Sequence, residues 1–221
     1  MIRVIDFETT GLPPEADVVE AAYVDVIGRK EVSTLVWSSL VRPTRPITVV
    51  ARAAHHISDE EAAGGISWAE AEAEIAHGVE IFAAHNADFE RQFFSRPGVR
   101  WIDTYKCALR LWPEAPKHTN QVLRYYLEGC DPGSLGMPPH RALPDCQVTA
   151  RILIRCFEKE GIEQLVAWSD EPPLLPRVPL GKHRDKPWSE VPTDYLEWAV
   201  KQDFEPGMAH TVRVELKKRR K

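Results

Sequence analysis

The most restrictive feature of the sequence is a change of texture just past residue 41. Before it, apolar and β-branched residues come in three runs, 4–7, 18–27 and 33–41. The last two flank Gly28-Arg29-Lys30, a turn signal that predicts a hairpin, and the three runs together predict a three-stranded meander. After it come signals of alternating helices and strands. Ser58 with Glu61 and Ser67 with Glu70 have the spacing of capping boxes, each announcing a helix. Residues 81–84 and 101–102 are short apolar strands, and the spacing predicts helices over 86–94, 104–112 (stopped at Pro113), 119–127 and 144–160. A meander followed by alternation predicts an α/β fold: a mixed five-stranded sheet, an antiparallel meander and then parallel strands, flanked by helices.

Pro172, Pro173, Pro176 and Pro179 mark residues 169–179 as a stiff, extended linker. The expected organisation is therefore a domain over 1–168, the linker, and a small module over 180–221 with one helix starting at Thr193. A final helical stretch runs into Lys217-Lys218-Arg219-Arg220-Lys221. Charge divides along the same line. Residues 174–221 carry 11 Lys/Arg against 7 Asp/Glu, whereas residues 1–173 carry 17 against 26. An acidic body is unusual for a nucleic-acid binder, unless some of its carboxylates are metal ligands. The basic tail is either solvated or a phosphate-binding arm of low sequence preference. No apolar run approaches the roughly 20 residues that span a bilayer, and the N-terminus lacks an export signal. The expectation is a cytoplasmic chain without a membrane partner. Cys107, Cys130, Cys146 and Cys156 show no metal spacing and are expected to be reduced thiols in or near the core.

Three acidic motifs carry the chemistry. Asp6 and Glu8 are two residues apart on the first strand, so both leave one face. Gly11 and Pro13-Pro14 end that strand, placing the pair at its C-terminal edge, where open α/β sheets bind ligands. Two such carboxylates are either a solvated pair or the two sides of a divalent cation site. His85-Asn86-Ala87-Asp88-Phe89-Glu90 follows the strand at 81–84, with Asn86 as the expected N-cap and Asp88 and Glu90 in the first turn. His140-Arg141-Ala142-Leu143-Pro144-Asp145 comes third. Pro144 suits the first helical position, which puts Asp145 in the first turn and His140 in the loop ahead of it.

In this order the motifs resemble those of the DEDDh, ribonuclease H-like exonuclease superfamily, whose pattern is D-x-E, then N-x-x-F-D, then H-x-x-x-x-D. The segments VRPTRPI, AxHxIS at 53–58, CALRLWP at 107–113 and HRALPDC at 140–146 are similar to the exodeoxyribonuclease X family within it. GKHRDKPWSEVPTDYLEW resembles that family's small C-terminal module. The resemblance implies a 3′→5′ exonuclease acting on DNA 3′ ends, single-stranded or duplex, by a two-metal mechanism, releasing nucleoside 5′-monophosphates, in DNA repair. It implies two divalent cations, Mg2+ or Mn2+, held by Asp6, Glu8, Glu90 and Asp145, with His140 as general base. Thr9, Thr10, Gly11, Leu12, His55, His85 and Asn86 would contact the substrate, with Leu12 either a wedge against the terminal base or ordinary loop packing. One position departs: the family has aspartate after the phenylalanine, and this chain has Glu90, with Asp88 as the understudy. Two alternatives stand beside this reading, an RNA-trimming exonuclease and a catalytically weakened nucleic-acid-binding subunit. Strand preference and oligomeric state are not encoded in these motifs.

Overall fold

The fold was described from a computed structural model, over residues 1–94 and 98–220. Lys221, the last residue of the basic tail, lies outside the described residues. Five strands form one sheet: β1 (Ile2–Thr9), β2 (Val18–Ile27), β3 (Glu31–Leu40), β4 (Ile81–Ala84) and β5 (Arg100–Asp103), in the order β3-β2-β1-β4-β5. β1, β2 and β3 pair antiparallel, while β4 and β5 join β1 in parallel. This is the expected meander with its parallel extension. Gly28 and Arg29 both take positive φ (58° and 65°) in the β2–β3 turn, the backbone of a tight hairpin whose twist matches the strands.

The helices are α1 (Val49–His55), α2 (Asp59–Ala63), α3 (Trp68–Ala76), α4 (Thr104–Leu111), α5 (Asn120–Tyr126), α6 (Ala142–Phe157), α7 (Ile162–Asp170), α8 (Thr193–Ala199) and α9 (Pro206–Arg219). Both capping boxes are made, Ser58 with Glu61 and Ser67 with Glu70. All four cysteines are free and buried. Among the described residues no helix is long and apolar enough to cross a membrane.

Side-chain parity on β1 decides where the chemistry falls. Ile5 and Phe7 enter one core with Val18, Phe82 and the α3 residues Ala71 and Ile75. Ile2 and Val4 enter the other, with Ala22, Val24 and the α6 residues Cys146, Ala150 and Leu153. With a period of two, Asp6 and Glu8 continue the face of Ile2 and Val4, the one α6 covers. Cys146 donates through its thiol to the carbonyls of Val4 and Ala22, which seats the start of α6 over β1 and β2.

Three local expectations are corrected. Residues 86–94 form no α-helix but a series of turns and one 3-10 turn, Glu90–Gln92. Asn86 is not an N-cap: its φ is +76°, a left-handed conformation Asn tolerates better than most residues, and its N–H donates to Asp103 Oδ1 from the neighbouring strand. Pro144 is the third residue of α6, not the first; the helix begins at Ala142 with Arg141 as its N-cap. A proline fits there because the first four N–H groups of a helix have no intrahelical partner to lose. Two helices, α1 and α7, fall where no helix was expected. The C-terminal residues build a core of their own from Val178, Trp188, Leu196, Met208 and Val212.

Candidate active site

Asp6, Glu8 and Asp145 converge at the C-terminal edge of β1, each offering an oxygen within 4.8 Å of the others. Asp145 is oriented at both oxygens: the His140 N–H donates to Oδ2 at 2.8 Å and Gln121 Nε2 donates to Oδ1 at 2.7 Å. Glu90 lies outside this 4.8 Å group but inside its electrostatic field, with its Oε2 buried and lacking any hydrogen-bond partner. Asp88 turns the other way. Half-exposed, it pairs with the buried Lys106 ammonium at 2.8 Å, so it is engaged elsewhere.

These carboxyl groups hold their protons unusually tightly. Burial, then Asp145, Glu8 and Glu90, keep Asp6 well above the usual carboxylate range. Glu8 is pushed up to about 8, first by burial and then by Asp145 and Glu20. Burial raises Glu90 strongly and Asp145 as well, the latter opposed by its two hydrogen bonds. Among the described residues, none of these four has a cation paired with it. Converging hard oxygen donors without a counter-charge, with the orphaned buried Oε2 of Glu90 in their field, fit a divalent cation such as Mg2+ or Mn2+.

The electrostatics carry a stability prediction for the cation-free protein. Between the ordinary glutamate value of 4.5 and about 8, Glu8 keeps a proton in the folded chain that it loses on unfolding. The folded state then binds more protons, so stability falls as pH rises through that interval. His85, held down to about 4 by burial, acts with the opposite sign but only below the ordinary histidine value of 6.5. Melting in chelator should therefore decline from pH 6.5 to 8. Divalent cation at ~100-fold its Kd should flatten the decline and raise the midpoint by roughly 5–10 °C. A midpoint in chelator that stays level across this window would remove the repulsion from the account.

His140 is exposed in the loop ahead of α6 with φ +59°, and a positive charge on its ring would act on Asp145. The residues after β1 divide by role. Thr9 Oγ1 donates to the Gly11 carbonyl, and Thr10 Oγ1 accepts from the Asp17 N–H, so both threonines shape the loop. Gly11 is half-buried, and Leu12 is 82% exposed.

Two histidines expected at the substrate are already committed. His55 Nδ1 accepts from the Ile57 N–H, leaving Nε2–H to donate to the Thr9 carbonyl. His85 spends its nitrogens on Thr104 Oγ1 and the His118 carbonyl. Both rings brace the backbone around the site. Asn86 is exposed beside them.

Two participants had no role in the sequence reading. Gln121 holds Asp145 from the first turn of α5, and no sequence signal marks it. Glu20 sits on β2 directly opposite Glu8, with Arg141 paired to it. Arg141 stood inside a quoted motif, and strand parity puts Glu20 on the face of Asp6 and Glu8 once the register is known.

The family model described as exonuclease matches residues 4–153. Exodeoxyribonuclease 10 of Escherichia coli (strain K12) is 38% identical over 203 residues, covering 90% of each chain. The PolC-type DNA polymerase III of Thermotoga maritima is 32% identical over 176 residues, 73% of this chain and 12% of that one. Among solved structures, exonuclease X in complex with 5′ overhanging duplex DNA superposes with a TM-score of 0.66 at 36% identity, covering 76% of this chain and 99% of that one. Escherichia coli exonuclease I in complex with a dA16 oligonucleotide, at 16% identity and a TM-score of 0.57, covers 76% of this chain and 42% of that one and shares the fold.

Proposed function

The chain belongs to the exonuclease family, and from that premise we propose that it is a DNA 3′→5′ exonuclease that releases nucleoside 5′-monophosphates. The observation that carries the reading is the convergence of Asp6, Glu8 and Asp145 at one strand end, with His140 tethered to Asp145. Relatives named for DNA exonuclease activity, and a solved neighbour bound to duplex DNA, support DNA as the substrate. A role in DNA repair is the setting we propose for it.

Asp6, Glu8, Asp145 and Glu90 would hold two divalent cations, Mg2+ or Mn2+. Such ions, when bound, neutralise the carboxylates and the charge that builds on the phosphate as the ester bond breaks. His140 takes a proton from the attacking water. Asp145 fixes the His140 backbone and so the height of the imidazole above the cluster. Leu12, exposed at the loop tip, meets the terminal base, Gly11 leaves room for the sugar, and Asn86 lies on the β4 side. We place Thr9, Thr10, His55 and His85 behind this surface as its supports. The experiment is end-labelled DNA digested with and without chelator, beside an RNA strand of the same sequence. Stepwise shortening from the 3′ end that stops in chelator is the expected result, with DNA cut faster; equal or faster cutting of RNA would transfer the proposal to RNA.

The Glu90 position gives a sharper check. Glu90→Gln keeps the shape and discards the charge, and should cost ~10²-fold or more in rate. Glu90→Asp should keep or raise magnesium-dependent activity. Asp88→Asn should leave turnover intact while lowering stability by on the order of 1 kcal/mol, because it withdraws one of the buried Lys106 ammonium's partners. A dead Asp88→Asn beside an active Glu90→Gln would reverse the assignment.

A further inference from the structure

Five carboxylates gather near the end of β1, and one differs from the rest. Glu20 is 5% exposed and, unlike the other four, is fully compensated. Arg141 grips it with both prongs of the guanidinium, Nε to Oε2 at 2.9 Å and Nη2 to Oε1 at 2.5 Å. The Ala142 N–H donates to Oε2 as well, at 2.9 Å. Glu20 is not one of the three converging carboxylates, and its charge is already cancelled by the guanidinium.

What the pair does hold is backbone. Arg141 and Ala142 directly follow His140 and begin α6, and both are tied to β2 through Glu20. On its other side His140 is tied by its own N–H to Asp145. Between the two anchors His140 keeps a left-handed φ of +59°, a conformation uncommon for a residue with a β-carbon. Glu20 also faces Glu8 across the antiparallel pair, a like-charge contact that would be destabilising without Arg141.

We propose that Glu20 is a positioning residue for the reaction: its fork with Arg141 fixes the loop that carries His140, and so the distance of the imidazole from the carboxylate cluster. The proposal rests on His140 being the general base. Glu20→Gln preserves size and removes the charge; Arg141→Lys preserves charge and removes the fork. Arg141, at 38% side-chain exposure, is the milder of the two if the buried substitution fails to fold.

The test measures kcat and KM on end-labelled DNA at saturating divalent cation, melting with and without that cation, and the same two substitutions in a His140→Ala background. Each single substitution should lower kcat by on the order of 10²-fold, with KM and the cation-induced melting shift within about twofold of wild type. Placed in His140→Ala, each should cost no more than about twofold further, because the group it positions is gone. Losses that multiply in full in that background would show Glu20 acting on something other than His140 and overturn the proposal. So would single substitutions that leave kcat unchanged. Failure of the underlying reading looks different: His140→Ala alone would then keep its rate, whatever the Glu20 and Arg141 variants do.

Discussion

Asp6→Ala is expected to abolish exonuclease activity, by ~10³-fold or more, the scale of losing several kcal/mol of charge stabilisation at the reacting phosphate. No other carboxylate in the cluster is so hemmed in, with Asp145, Glu8, Glu90 and Glu20 all raising its proton affinity. That crowding gives the substitution a second, opposite signature. Alanine removes one of the mutually repelling groups, so the cation-free variant should melt no lower than wild type. The rise in melting midpoint on adding divalent cation should shrink or vanish, since three oxygens would have become two. An unfolded variant leaves no melting transition in either buffer, which separates loss of fold from loss of site. Full activity in Asp6→Ala would end the two-cation scheme. An inactive variant that kept the whole cation-induced shift would assign Asp6 a role other than holding cations.

The sequence revealed the elements whose signals are local. β2 begins and ends at the expected residues because its β-branched run stops at a glycine turn. α4 stops before Pro113, and α2 and α3 start at their capping boxes, for equally local reasons. α1 was missed because VVARAAH has no apolar period: among its residues only His55 is buried, while Val49 and Val50 are 85% and 82% exposed. The Asn86 turn was mistaken for a helix because its geometry comes from Asp103, a hydrogen-bond acceptor on another strand. The same limit applies within the site. Asp6 and Glu8 were visible together because strand parity is a sequence property. The Glu20–Arg141 pair spans 121 residues and exists only once α6 lies on β2. Histidines were the least legible, since a motif fixes where the ring starts and tertiary contacts decide whether its nitrogens are free, as His55 and His85 show and His140 does not.

His140→Ala is expected to lower kcat by about two to four orders of magnitude, the range for removing a positioned general base. The cation-induced melting shift should survive, because the residue's hold on Asp145 runs through its backbone N–H, which alanine retains. The left-handed backbone at this position calls for a second variant. Alanine fits φ +59° less well than asparagine does, so a slow His140→Ala alone leaves open a loop that has relaxed away from the site. His140→Asn keeps a residue suited to that conformation and supplies no base. Equal slowing in the two variants assigns the loss to the imidazole, whereas a fast His140→Asn assigns it to the loop. Alkali offers an independent readout. As hydroxide becomes plentiful the attacking water needs less help, so the gap between wild type and both variants should narrow with rising pH. A gap that stays constant at every pH, or a His140→Ala enzyme at near-wild-type rate in neutral buffer, would remove His140 from the role of base.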